Sequence, residues 1–415
     1  KPGCNQWHSK GIYQIPYRCL YSRNISNLFL AGRIISSSHV AFGSTRVMAT
    51  SGLTGQVAGT AAALANSLHV NPRALAENPL LPKLQQLLLQ QGAYIPGVSR
   101  EVSDLVGHAS VMASSQLQFN GFNKSGIFKP LSISAAQMVP LSAGEIPAGH
   151  LRCIAAAETV LEVQLRVSVD RLNYTPEVVL ERQMLSLNEG ENLLSLAFNE
   201  GMPYDGYAYV TFMKNDLVSL NYSSQRLTGM LSVFNTVNPA VSNWGRQDPT
   251  EDIGVDAFEF WCPARRPEGH NLALEMSLPV EVFSVENIRN GIDRPTNTPN
   301  AWVADWNDKD PVIQLEWKDE VALNEIEICF DTDFDHPMES VLMGHPENIM
   351  PFCVRHFRVY DESDNLIWEE NENHETIRRY ALPEVLKTRK LRFHFAHPSK
   401  EIPAAVFAIR CYNKK

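Results

Sequence analysis

Between Gly32 and Arg46 the chain gathers side chains that can hold an anion and move a proton. Arg33 and Arg46 each offer a guanidinium fork that matches carboxylate or phosphate oxygens. His39 titrates near neutral pH and suits a proton donor or acceptor. Ser36, Ser37, Ser38, Ser44 and Thr45 supply hydroxyls, and Gly43 leaves backbone open to a ligand. Upstream, Tyr17 and Arg18 lie in a stretch crowded with Trp7, His8, Tyr13 and Tyr21. Each group has an ordinary alternative. His39 can simply hydrogen-bond its own loop, and Arg18, Arg33 and Arg46 can form ion pairs inside a domain. The tyrosine-rich stretch reads equally well as a partly buried strand.

Such groups need elements to hold them. Leu28, Phe29, Leu30 and Ala31 form an apolar run ending at Gly32, which predicts a short buried strand. A helix is expected from Ser44 or Thr45, either of which can cap it. Gly52, Gly55 and Gly59 follow within it, and each glycine costs a helix about 0.8–1.0 kcal/mol relative to alanine. Three of them predict that something approaches the backbone closely, helix–sheet packing more than a ligand. Strand, loop and helix N-terminus together make an anion-binding geometry.

The string Ile15-Pro16-Tyr17-Arg18, then AGR-x-IS-x-x-H-x-A-x-GS-x-RVM, then G-Q-x-x-G-x-A-A resembles the closing segment of the FAD-dependent oxidoreductase family. The resemblance covers about a hundred residues. It implies FAD as cofactor, with Gly32, Arg33, Ser36, Gly43, Ser44, Thr45 and Arg46 around the flavin. It also puts His39, Arg18 and Tyr17 on the catalytic, substrate side. In that family the helix N-terminus faces the flavin pyrimidine ring, where it stabilises charge on the reduced ring. The departure is that no G-x-G-x-x-G occurs among the 415 residues. The expectation is therefore a C-terminal portion of a longer flavoprotein. Its missing N-terminal FAD-binding half is an expected partner, and FAD is expected to be bound only in the full-length protein. Left without that half, the segment is expected to pack on the β domains or on another copy of itself, as a homo-oligomer.

Composition sets bounds. At 44% hydrophobic and 20% charged, the chain has the make-up of a globular protein with two to four domains. A formal charge of −10 argues against a nucleic-acid partner. No apolar run reaches membrane-span length. Seven scattered cysteines without a C-x-x-C pair exclude a zinc site of that kind and a dense disulfide framework.

Along the rest of the chain, Asn71-Pro72 predicts a helix start. Leu80, Leu81, Leu84, Leu87 and Leu88 predict a helix within Asn78 to Gly92. From about Ile133 the period switches to two. Leu161, Val163, Leu165, Val167 and Val169 predict a half-buried strand, and further strands are expected at 207–213 and 257–261. Nearer the C-terminus, Ile313, Leu315 and Trp317, then Ile326, Ile328 and Phe330, then Leu391, Phe393 and Phe395, then Phe407, Ile409 and Cys411 alternate likewise. Here Asn290-Gly291-x-x-Arg294-Pro295, Asn300-Ala301-Trp302, IQLEW, LNEIEICFD and AVFAIRCY resemble the discoidin-like, galactose-binding-like jelly roll.

The expected fold is mainly β: two β-sandwich or jelly-roll domains after a partial α/β flavin-domain segment that is largely helical. The expected domains are 1–104, 105–270 and 271–415, the last an autonomous jelly roll. Trp302 and Trp306, read as loop residues, are candidate sugar contacts, whereas Trp317 reads as core. Asp331, Asp333, Asp335 and His336, and separately Asn287, Asn290 and Asp293, are residue types that can ligate calcium. The acidic loop reads better as solvated, and no metal site is predicted. The functional expectation is an oxidoreductase segment acting on a small-molecule or carbohydrate substrate, with accessory β domains. The alternative is a non-enzymatic module binding carbohydrate or cell envelope, in the periplasm or at the envelope.

Overall fold

A computed structural model describes residues 13–168, 176–235, 237–238, 243–244, 246–247, 258–259, 261–263, 271–332 and 350–414. The chain divides into two compact units, one spanning Ile12–Glu101 and the other covering Val102–Lys415.

The Ile12–Glu101 unit is helical. Its helices are α1 (His39–Thr45), α2 (Met48–Leu68) and α3 (Leu80–Gln90), joined by 3-10 turns at Tyr17–Leu20, Gly32–Ile34 and Pro72–Ala76. The core is Ala61, Leu64, Ala65, Leu75, Leu84 and Leu88, so the predicted leucine face of α3 packs on the alanine side of α2. Gly92 follows α3 at φ 86°, a left-handed position that favours glycine. Asn71 caps its turn by accepting from the Ala74 N–H at 3.0 Å, although that turn is 3-10.

Two expectations fail here. Leu28–Ala31 is not a buried strand: Phe29 makes one bridge, to Tyr21, and Leu28 is 40% exposed. An apolar run cannot hold a strand without a neighbouring ladder. The helix does not start at Ser44 or Thr45, because Ser38 caps it first, its Oγ accepting from the Ala41 N–H at 3.2 Å. Ser44 and Thr45 instead end α1, and a second helix starts after Val47.

The Val102–Lys415 unit is antiparallel β throughout its described sheets, so the protein is mainly β. Two sheets enclose one core. The first runs Phe119–Gly121, Glu275–Val280, Gly149–Ala155, Asn215–Tyr222, Ile127–Leu131, with Gly190–Leu196 also paired to Gly149–Ala155. The second runs Cys262–Pro263, Ser232–Phe234, Ala135–Leu141, Gly206–Phe212, Thr159–Val167, Val178–Leu187. Leu151, Cys153, Leu194 and Leu220 from one meet Leu161, Val163, Leu165, Val210 and Phe212 from the other. The strand expected around Leu161 is there as Thr159–Val167, with Val169 outside the described residues, and its outer face is exposed only at its start, where Val160 is 48% exposed. Gln164 and Arg166 on its other face are also buried. Arg166 donates from Nε to Gln164 Oε1 at 2.6 Å and lies 5.3 Å from the Trp261 ring centre.

A third, larger sheet runs Trp302–Val303, Ala405–Tyr412, Val312–Phe330, Ile377–Phe395, Phe357–Tyr360, Leu366–Glu370. Ser110–Ala113 adds to it by pairing with Val312–Phe330. The two strands expected at 313–317 and 326–330 are one continuous strand. Register shifts after Glu316 and Leu323 let it bend without breaking its pairing to Ile377–Phe395. Ile313, Leu315, Trp317, Ile326, Ile328, Phe330, Leu391, Phe393 and Phe395 all point into one core, as their alternation predicts.

Phe407 departs from that pattern. Ile409 and Cys411 join the third sheet's core, but Phe407 joins the core of the first two sheets, along with Ala405, Ala408, Cys329 and Val303. The cause is a register shift: Cys329 pairs with Ala408, while Phe330 pairs with Val406, leaving Phe407 opposite neither. The extra residue turns its side chain to the other face.

Candidate functional site

The sequence-selected residues lie where Tyr17–Leu20, Gly32–Ile34, α1 and the start of α2 come together. Backbone bonds join the pieces: the Leu30 N–H donates to Leu20 O at 2.8 Å and the Ser36 N–H to Cys19 O at 2.9 Å. Gly32 adopts φ 66°, and its N–H donates to Thr54 Oγ1 at 2.8 Å. Thr54 Oγ1 in turn donates to Ser51 O at 2.8 Å, fixing the turn against α2. Thr54 was not selected from the sequence. A threonine inside a helix carries no local mark of bonding a turn 22 residues earlier.

The structure sorts the selected residues into two groups. Gly32, Tyr17 and Thr45 are half-buried or buried. The Tyr17 hydroxyl donates to Pro72 O at 2.8 Å. Burial, with the neighbouring Tyr21 in support, pushes its pKa well above the ordinary tyrosine value. The hydroxyl is thus held protonated as a donor to that carbonyl. Thr45 is buried, with no partner for its hydroxyl among the described residues. The second group, Arg18, Arg33, Ser36, His39, Gly43, Ser44 and Arg46, is exposed. The Arg33 guanidinium lies 5.9 Å from the Phe42 ring centre, which orients it. Ser44 enters through its backbone, its carbonyl accepting from the Tyr13 hydroxyl at 3.1 Å.

The expected close approach to the glycine backbones is absent among the described residues. A Cβ added at Gly43, Gly52, Gly55 or Gly59 would meet nothing within 4 Å. Nearby, Ile34 is 70%, Val40 87% and Met48 91% exposed. The surface therefore combines open space beside Gly43, exposed arginines and bare apolar side chains. That donor set fits a planar, partly anionic group such as a flavin.

The tryptophan expectations need correction. Trp302 is not in a loop. It lies in the strand Trp302–Val303 and is 0% exposed, so its ring cannot stack on a ligand. Trp306 does lie outside the strands, but it is half-buried against the core of the first two sheets. Trp317 is core, its indole N–H donating to Leu105 O at 2.8 Å.

The calcium-ligand candidates are otherwise engaged or lie outside the described residues. Asn287 donates to Val282 O and Ala301 O, both at 2.8 Å, and Asp293 pairs with Arg410. Asp331 is buried, and Asp333, Asp335 and His336 lie outside the described residues. No group of metal-ligating side chains occurs among the described residues.

Comparison with known proteins gives one family match: residues 1–88 fit the model described as FAD dependent oxidoreductase. No curated protein matches the chain. Solved structures similar to it include the family 32 carbohydrate-binding module from Streptococcus pneumoniae EndoD, at 12% identity. That match covers 32% of this chain and 88% of the other, with a TM-score of 0.26. CpGH89CBM32-6 from Clostridium perfringens is 15% identical over 31% of this chain and 84% of the other, with a TM-score of 0.21. A Streptococcus pneumoniae fucose binding module, SpX-3, is 13% identical over 31% and 84%, with a TM-score of 0.23.

Proposed function

We propose that this chain is part of an FAD-dependent oxidoreductase whose Ile12–Glu101 unit closes the flavin site. The observation that carries the reading is the ordered string from Ile15 to Ala63, which falls inside the family match over residues 1–88. When bound, FAD supplies the electron transfer. The chain's own residues supply a surface for it: open space beside Gly43, the Gly32 turn held by Thr54, and the exposed guanidinium groups of Arg33 and Arg46. Arg18 and His39 stand ready on the substrate side. The Val102–Lys415 unit serves as the accessory part, binding carbohydrate or cell envelope, and the protein works in the periplasm or at the envelope.

Gly43→Trp tests the flavin placement in the natural protein. Nothing lies within 4 Å of a Cβ there, so the chain itself tolerates the change. The expected result is loss of visible flavin absorbance with an unaltered circular dichroism spectrum. Full flavin occupancy in the variant overturns the placement. A glycan array probes the accessory role, which fails if no saccharide is retained.

A further inference from the structure

We propose that His397 is a pH-sensitive latch. While its imidazole is neutral it fastens the 305–310 loop to the segment that enters the strand Ala405–Tyr412, and a second ring proton releases that fastening. The latch lies wholly within the Val102–Lys415 unit and does not depend on the flavin reading.

The two ring nitrogens have fixed and opposite roles. Nδ1 lies 2.9 Å from the Ala404 backbone nitrogen, whose N–H can only donate, so Nδ1 accepts. Nε2 lies 2.6 Å from the Asp308 carbonyl oxygen, which can only accept, so Nε2 carries the proton. That is a neutral imidazole with both positions used. A proton added at Nδ1 sets two donors against each other. Ala404 is 0% exposed, so its N–H is cut off from water and would be left unpaired.

The added proton also has somewhere to go. The Asp308 carboxylate interacts electrostatically with the ring. Burial raises its pKa, but the Ser114 and Ser115 hydroxyls at 2.5 and 2.6 Å, the Asp310 N–H at 3.2 Å and the His397 charge outweigh that. Held below the ordinary carboxylate range, it stays charged while the ring titrates and draws an imidazolium off Ala404. The other charged groups of these loops are engaged or exposed. The Asp305 carboxylate accepts from the Asn307 N–H at 2.8 Å, and Asp310 pairs with His394 at 3.1 Å. Glu401 accepts from the Ser399 hydroxyl at 3.3 Å, and Lys309 and Lys400 are exposed. The opened arrangement binds the extra proton and the fastened one does not, so falling pH favours opening.

The loop is held to this segment at two places. One is the Asp308 carbonyl on His397, and the other is the Ala404 carbonyl, which accepts from the Ala304 N–H at 2.9 Å. Releasing the Ala404 peptide therefore loosens both ends of the stretch that carries Trp306, half-buried against the core of the first two sheets.

Hydrogen exchange at the Ala404 N–H of the full chain tests this, expressed as a protection factor so that the intrinsic pH dependence cancels. It is followed from about pH 8 to about pH 5, the span over which imidazoles titrate. The nitrogen NMR shift of His397 Nδ1 reads ring protonation in the same samples. A bare Nδ1 is expected at the upper pH, with protection falling about tenfold or more as that nitrogen takes up its proton, the worth of one hydrogen bond. His397→Gln offers an acceptor and a donor but does not titrate, and is expected to keep protection flat. Asp310→Asn removes the partner of His394 and is expected to leave the fall in place. The melting temperature of each variant verifies that it folds. A proton on Nδ1 at the upper pH, or protection unchanged while the ring protonates, overturns the proposal. So does a fall that persists in His397→Gln or vanishes in Asp310→Asn. Should His397→Gln not fold, the two readings on the parent chain decide alone.

Discussion

The indole N–H of Trp302 donates to the backbone carbonyl of Ser115 at 2.9 Å, linking positions 187 residues apart. The ring is fully buried, 5.8 Å from that of Phe395. Next to it the Ser115 Oγ donates to Asp308 Oδ2 at 2.6 Å and accepts from the Asp305 N–H at 3.1 Å. The segment before the first sheets is thereby fastened to the third. Trp302→Phe keeps an aromatic ring but leaves the Ser115 carbonyl without its donor. The expected cost is about 1–3 kcal/mol, read as a lower urea midpoint with no change in slope. An unchanged midpoint would show that water replaces the bond.

Phe407 and Ile409 sit two residues apart in one strand yet enter different cores. Phe407→Ala is expected to cost about 3–5 kcal/mol and Ile409→Ala about 2–5 kcal/mol. Because the strand serves both cores, each variant should shift one common unfolding transition of the Val102–Lys415 unit. Residues 275–415 expressed alone should be markedly less stable, since Phe407, Ala405 and Ala408 would lose their partners. Two separate transitions in calorimetry, with only one moved by each substitution, would show that the cores unfold independently.

Gly121 has φ 131°, and a Cβ there would lie 2.6 Å from both Glu275 Cα and Leu274 O. Those are backbone atoms of the paired strand and cannot swing aside. Gly121→Ala should therefore part Phe119–Gly121 from Glu275–Val280, costing on the order of 1–3 kcal/mol from local strain. Hydrogen exchange is the direct measurement. Faster exchange at the Phe122 N–H, which donates to Leu274 O at 3.0 Å, is expected, and unchanged protection would contradict the assigned close approach.

Glu370 accepts from Arg378 Nε at 2.9 Å and from the Glu372 N–H at 3.3 Å. Burial raises its pKa, but the Arg378 hydrogen bonds, the Glu372 N–H and the Arg378 charge outweigh that, leaving it below the ordinary 4.5. A carboxyl depressed in the folded state contributes stability that is fully present above its unfolded value. That contribution is lost as pH falls through the folded value. Glu370→Gln should thus lower the melting temperature by a constant amount above about pH 5, equivalent to a few tenths to about 1 kcal/mol. The difference from the parent protein should narrow below pH 4.5. A difference that widens on acidification would reverse the sign of this argument.

Several features were legible from residue order because their cause is local. Alternation placed Ile313, Leu315, Trp317, Leu391 and Phe393 on one face, since successive strand side chains must point to opposite sides. The leucines of α3 and the left-handed Gly92 followed from helical spacing and from glycine's freedom at positive φ. The string from Ile15 to Ala63 is likewise local, and it lies within the residues that fit the FAD dependent oxidoreductase model. What only the tertiary structure decided is whether a second layer covers the other face. Arg166 and Gln164 read as outward residues and are buried, because Trp261 lies over Arg166. Trp302 read as a loop residue and is core, because Ser115 supplies its acceptor from far away in sequence. Leu28 to Ala31 read as a strand and is none, because its pairing stops at a single bridge from Phe29 to Tyr21. Phe407 changed cores through a one-residue register shift fixed by its partner strand. Periodicity reports the pattern of a single element, whereas burial and register are set by the neighbours that the fold brings to it.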